Sequence, residues 1–184
     1  ASLLRSSTCL VANTHLITKI YFPRLLIPLS GVFSGVVDFG VAFLVLIALM
    51  IYYNVMPTLA VLLLPVFLLL AMLTALGVGL WLSALNVRFR DINHVTPYLI
   101  QTWMYLTPVI YGSTLIPERF RFLLRLNPMT GVVVGFRWAL LGSSYVNQEA
   151  LGVLFALSTG IVLLILFSGL IFFRHTERTF ADVI

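Results

Sequence analysis

The chain has 184 residues, 61% of them hydrophobic and only 9% charged, with a mean hydropathy of +1.09. A soluble globule carries nearer a quarter of charged residues, so that class is excluded. An intrinsically disordered chain or a disulfide scaffold is excluded too, because the composition is strongly apolar and holds a single cysteine, Cys9. The net charge of +5 comes from eleven basic residues scattered between apolar runs, not from a clustered basic face of the kind nucleic acid requires. What remains is an integral membrane protein, all-α, whose arginines and single lysine mark loops.

A bilayer core of about 30 Å needs about 20 apolar helical residues. In chain order, residues 25–51 form such a run, broken only by Asp38; 59–85 form a second, with Pro65 near its start. A shorter apolar and aromatic stretch, 95–111, spans if neighbours support it, and 151–173 is a charge-free run. Gly31/Gly35, Ala71/Ala75 and Ala75/Gly79 put small residues four apart, a spacing that lets helix backbones approach closely but also arises by chance in such a composition. Arg5, Lys19 and Arg24 precede the first run, Arg88, Arg90 and Asp91 follow the second, and Arg174 and Arg178 follow the last. The positive-inside bias then predicts four crossings with both ends of the chain in the cytoplasm.

One stretch conflicts with that bias. Residues 112–150 would lie outside, yet contain Arg119, Arg121, Arg125 and Arg137. Residues 117–126 read as a short amphipathic helix, Asn127-Pro128 breaks the chain, and 131–142 is apolar apart from Arg137 and too short to cross and return. Two half-depth helices entering from outside reconcile these features, since irregular backbone at membrane depth is tolerated only where protein or a water-filled cavity covers it. A fifth span at 129–141 is the competing arrangement; it would put Arg174 and Arg178 outside.

Familiar catalytic patterns are missing from the sequence. There is no Gly-x-x-x-x-Gly-Lys-Ser/Thr loop, and the only lysine is Lys19. His15, His94 and His175 stand far apart without ligand spacing, so no metal site is expected. No Gly-x-Ser-x-Gly elbow occurs, and the six acids are isolated. Asp38, thirteen residues from each end of its run, should face the bundle or a cavity, as a functional acid or as a buried acid bonded to Ser34 or another helix. Tyr98, Gln101 and Tyr105 fall at i, i+3 and i+7 on one helical face. With Trp103 and Tyr111 nearby, that face offers aromatic rings beside an amide edge; an interfacial aromatic belt explains it equally well.

Seven segments resemble, in order and spacing, the permease subunit of polysaccharide-exporting ABC transporters of the ABC-2 type. They are Leu16-Ile-Thr-Lys-Ile-Tyr-Phe-Pro-Arg24, Leu82-Ser-Ala-Leu-Asn-Val-Arg-Phe-Arg-Asp91, Leu106-Thr-Pro-Val-Ile-Tyr111, Ile116-Pro-Glu-Arg119, Leu126-Asn-Pro-Met129, Gly135-Phe-Arg-Trp-Ala-Leu-Leu-Gly142 and Phe180-Ala-Asp-Val183. The resemblance implies a multi-pass permease of the bacterial cytoplasmic (inner) membrane, exporting O-antigen, capsule or teichoic acid chains. It implies a paired second permease copy and a separate ABC ATPase subunit that binds ATP and magnesium, with no cofactor in this chain. Family members have six spans behind an amphipathic helix, so the four spans here imply a chain shortened at its amino end.

The resemblance also assigns roles. A coupling segment at 13–24 carries His15, Lys19 and Arg24, and a second contact with the ATPase at 86–94 carries Arg88, Arg90 and Asp91. Anchoring of Arg88 and Arg90 to anionic headgroups is the simpler alternative. The region 112–142 becomes an outer gate, with Pro117, Glu118, Arg119, Asn127, Pro128 and Arg137 as its candidate residues, and 174–184 a cytoplasmic tail. The whole chain is then one transmembrane domain. Two other functions fit the same body: a membrane enzyme of glycan assembly, polymerase or acyltransferase, and an ABC-2 exporter of a lipid or drug.

Overall fold

The computed structural model describes residues 2–12, 25–55, 59–89, 91–109, 126–142 and 148–177, together with Phe122 and Leu124. The described residues are helical, with six α-helices: α1 (Ser2–Ala12), α2 (Leu26–Tyr52), α3 (Leu64–Arg88), α4 (Ile92–Leu106), α5 (Pro128–Leu141) and α6 (Gln148–Glu177). A 3-10 turn, Leu59–Leu63, leads into α3. Among the described residues, three helices are long and apolar enough to cross a membrane: α2, α6 and the continuous Leu59–Arg88 stretch. At 1.5 Å per residue even a 25-residue helix covers about 38 Å, more than the hydrocarbon core.

Local chemistry sets the ends. α2 stops where Asn54 takes a left-handed conformation (φ 53°), with Val55 N–H donating to the Met50 carbonyl (2.9 Å) and Asn54 N–H to that of Ile51 (3.1 Å). Asparagine tolerates this geometry better than branched residues do. α3 begins at Leu64 because Pro65, which lacks an N–H, suits a first helical turn. It runs on through the polar Asn86 to Arg88, past the apolar run expected at 59–85. α4 starts at Ile92 and accommodates Pro97, but ends at Leu106 where Thr107-Pro108 turns the chain. The stretch expected to span at 95–111 is thus a helix of 15 residues, about 22 Å long.

The chain divides into two compact units. The first comprises Ala1–Val37, Met72–Thr102 and Leu164–Ile184. Its core is Ile27, Leu80, Ala84, Val87 and Phe173, flanked by Leu76, Leu170 and Phe172. The small-residue spacing seen in the sequence does its work here. Ser2 and Ser6 of α1 lie against Gly35 and Gly31 of α2, and Ser6 also lies against Gly79 of α3. Arg5 donates to Ser34 Oγ, and buried Asn86 donates through Nδ2 to the Ser7 carbonyl (2.7 Å). Gly77 of α3 and Gly169 of α6 approach backbone to backbone, beside a stacked Trp81–Phe172 pair (centroids 4.3 Å apart).

The second unit comprises Asp38–Ala71 and Trp103–Leu163. Phe67 is buried at its centre, edge-on to Phe155 (5.4 Å) and tilted against Phe136 (6.0 Å), which also meets Phe39 (5.7 Å). Gly135 leaves the space the Phe67 ring fills. Four helices thereby contribute to one aromatic core, a geometry aromatic quadrupoles favour.

Candidate functional site

Several linked polar side chains meet at the C-terminal end of α4 and the start of α5. Asn127 caps α5: in extended conformation (φ −80°, ψ 115°), it accepts the Met129 N–H at Oδ1 (3.1 Å), with Pro128 in the first turn. The same oxygen accepts the indole N–H of Trp103 (2.9 Å). Asn127 Nδ2 donates to Thr107 Oγ1 (2.9 Å), whose hydroxyl donates to the Trp103 carbonyl (2.9 Å). Ten residues further along α5, Arg137 Nη2 donates to the Val109 carbonyl (2.8 Å). Gly142 (φ 83°) ends the helix, its N–H on the Trp138 carbonyl.

Of the gate candidates, Asn127 and Arg137 therefore both hold the segment 103–109, and Pro128 is buried. The 14-residue α5, about 21 Å long, buries Thr130, Gly131, Val132, Val134, Gly135 and Ala139, so it is a packed element of its unit. Pro117, Glu118 and Arg119 lie outside the described residues. Of the helix expected at 117–126, Phe122, Leu124 and Leu126 are described, each helical.

The channel candidates Asp38, Tyr98, Gln101 and Tyr105 are all exposed, Tyr98 at 72% and Tyr105 at 55%. Trp103, by contrast, commits its indole N–H to Asn127. Among the ATPase-contact candidates, exposed Arg88 closes α3 with its guanidinium 5.5 Å from the Phe89 ring centre, a cation–π distance, and exposed Asp91 opens α4, its carbonyl accepting from His94 N–H (3.0 Å). His15, Lys19, Arg24 and Arg90 lie outside the described residues. Two polar residues went unpredicted, Thr107 and Asn86; the paired dipeptides Thr107-Pro108 and Asn127-Pro128 were the available signal for the first, and nothing local signals the second.

Residues 11–141 match the model of the ABC-2 type transporter family. The chain belongs to that family. Two O-antigen export system permease proteins RfbA of Klebsiella pneumoniae are 31% and 30% identical to this ABC-2 protein over 175 residues, covering 95% of the chain and 66% of each relative. The Myxococcus xanthus protein of the same name is 31% identical over 171 residues, 92% of the chain and 64% of the relative. The chain thus spans just under two thirds of the length of these curated relatives. Family and long apolar helices together make it a multi-pass protein of the bacterial cytoplasmic membrane.

Proposed function

We propose that this protein is the membrane-spanning permease subunit of an ATP-driven exporter of a bacterial surface polysaccharide, of O-antigen, capsule or teichoic acid type. The observation that carries the reading is the likeness to O-antigen export permeases at 30–31% identity along nearly the whole chain. A separate ABC ATPase binds ATP and magnesium, and a second permease copy completes the conduit. The chain crosses four times, at 25–51, 59–85, 95–111 and 151–173, and the 112–142 region dips in from outside as the gate. The burial of α5 against its neighbours supports a covered, half-depth element.

His15, Lys19 and Arg24, then Arg88, Arg90 and Asp91, receive the ATPase's motion. Pro117, Glu118, Arg119, Asn127, Pro128 and Arg137 belong to the gate. Asp38, Tyr98, Gln101 and Tyr105 face the polymer. Tyrosine rings stack on the apolar faces of sugars, while amide and carboxylate edges exchange hydrogen bonds with passing hydroxyls. The exposure of all four side chains in the isolated chain supports this assignment. So does the cost of turning the Asp38 carboxylate to lipid, about 2.5–3.5 kcal/mol at mid-span.

Two variants test the roles. Arg88→Glu in the full-length protein is expected to lower polysaccharide-dependent ATP hydrolysis by the co-purified ATPase about tenfold, the usual scale for reversing a contact charge. Undiminished hydrolysis removes Arg88 from the contact. Asp38→Leu should insert more favourably, by about 2.5–3.5 kcal/mol. Export should nonetheless fall, measured as surface polymer per folded permease; unchanged export removes Asp38 from the pathway.

A further inference from the structure

Two Xaa-Pro dipeptides, one just before the proposed gate region 112–142 and one within it, meet in space. Thr107-Pro108 ends α4 and Asn127-Pro128 begins α5. Each proline stops a helix from continuing through it or opens one, and each preceding residue supplies the side chain that reaches the other. The bonds close a ring: indole N–H of Trp103 to Asn127 Oδ1, Asn127 Nδ2 to Thr107 Oγ1, and Thr107 Oγ1 back to the Trp103 carbonyl, each at 2.9 Å. Asn127 Oδ1 takes the Met129 N–H as well, so one side chain serves both as cap of α5 and as tie to α4.

Thr107 and Pro108 are buried, and Trp103 and Asn127 half-buried. Little water can replace these bonds, which raises the cost of opening the ring. Arg137 adds a second tie, to the Val109 carbonyl. Two ties to one short turn, from opposite parts of α5, fix direction as well as distance.

We infer that Asn127, with Trp103 and Thr107, is the joint that makes the last turn of α4, residues 103–106, and α5 move as one body during transport. This rests on the permease reading. That turn carries the proposed polymer-facing Tyr105. With the joint intact, a displacement of the turn is a displacement of α5. With the joint broken, the turn moves and α5 lags. Asn127 and Thr107 are positioning residues: they act on the gate through hydrogen bonds to Trp103 and to the start of α5.

Spin labels on Leu106→Cys and Leu141→Cys test the joint in the full-length, otherwise cysteine-free protein with its ATPase, in nanodiscs. Both positions are exposed. In the parent, the label-to-label distance distribution is expected to be narrow and the same with and without trapped ATP. Thr107→Val keeps side-chain volume and removes two of the ring's bonds; Asn127→Leu also removes two, together with the cap on Met129 N–H. Either should broaden the distribution and make it depend on nucleotide. Export should fall about tenfold with ATP hydrolysis retained, the effect of one to two lost hydrogen bonds. A distribution unchanged in both variants, or one already nucleotide-dependent in the parent, overturns the joint. If the protein exports no polysaccharide the permease reading fails, while the distance measurement still decides the joint.

Discussion

Gly169→Ala should cost about 1–3 kcal/mol of stability, the range for forcing extra volume into a packed core. The same substitution at Gly160, on the same helix, should cost nothing and gain up to about 1 kcal/mol from helix propensity. The difference lies in what each glycine faces. A methyl group at position 169 would stand 2.6 Å from the Gly77 carbonyl oxygen and 3.2 Å from Trp81 Cδ1, whereas nothing lies within 4 Å of one at position 160. A backbone carbonyl cannot rotate aside as a side chain can. Trp81 is held by its stack on Phe172 and by donating to Ser168 Oγ (3.2 Å). Relief therefore requires α3 and α6 to separate, which loosens the stack and the Phe173 core beside it. Lipid tails give no hydrophobic compensation, since close packing itself drives association between apolar helices in a bilayer. Unfolding the two purified variants side by side in mixed micelles checks this; equal stabilities would show that the Gly77–Gly169 approach is unimportant.

Asn86→Asp should be the most damaging single-atom change in the first unit, costing about 3–5 kcal/mol, the scale of an uncompensated buried charge. Asn86 is 1% exposed, and its Nδ2 donates to the Ser7 carbonyl, 79 residues earlier in the chain. Aspartate replaces that donor with an acceptor facing an acceptor. Its other oxygen inherits the position of Asn86 Oδ1, which has no hydrogen-bond partner among the described residues. Asn86→Leu removes that unpartnered acceptor along with the bond, so its cost should stay near 1 kcal/mol. The contrast has a functional side: Asn86 ties α1, which precedes the proposed coupling segment 13–24 in the chain, to the last turn of α3, which leads into the Arg88 segment. Thermal unfolding of the two variants ranks them, and the account fails if Leu is the worse of the two.

Hydropathy located the long helices because depth in a bilayer depends on composition averaged over many residues, and it missed their ends because ends depend on single groups. The 59–85 run shows both. Its apolar start is a 3-10 turn, with the α-helix opening beside Pro65, and its polar finish at Asn86–Arg88 is still helical because α1 covers Asn86. The start and end of α5 were readable from Asn127-Pro128 and Gly142, residues whose backbone preferences act locally. The partners of Asn127 were not, because the bond to Trp103 joins residues 24 apart and depends on where the intervening chain returns. Gly31/Gly35 announced a close approach without naming Ser2 and Ser6 as its other side. Asp38, Tyr98, Gln101 and Tyr105 were legible as polar or aromatic groups on apolar helices, and all four are exposed, as are apolar neighbours such as Val37 and Leu44.

We propose that this protein moves a finished polymer and neither builds it nor hydrolyses ATP itself. Deleting the protein from its cells and following pulse-labelled polysaccharide tests this most directly. Full-length polymer is expected to be trapped on the cytoplasmic side of the membrane, with export restored by the full-length protein only when the proposed partner ATPase is catalytically intact. Failure to make polymer at all, or restored export alongside a catalytically dead ATPase, would contradict it.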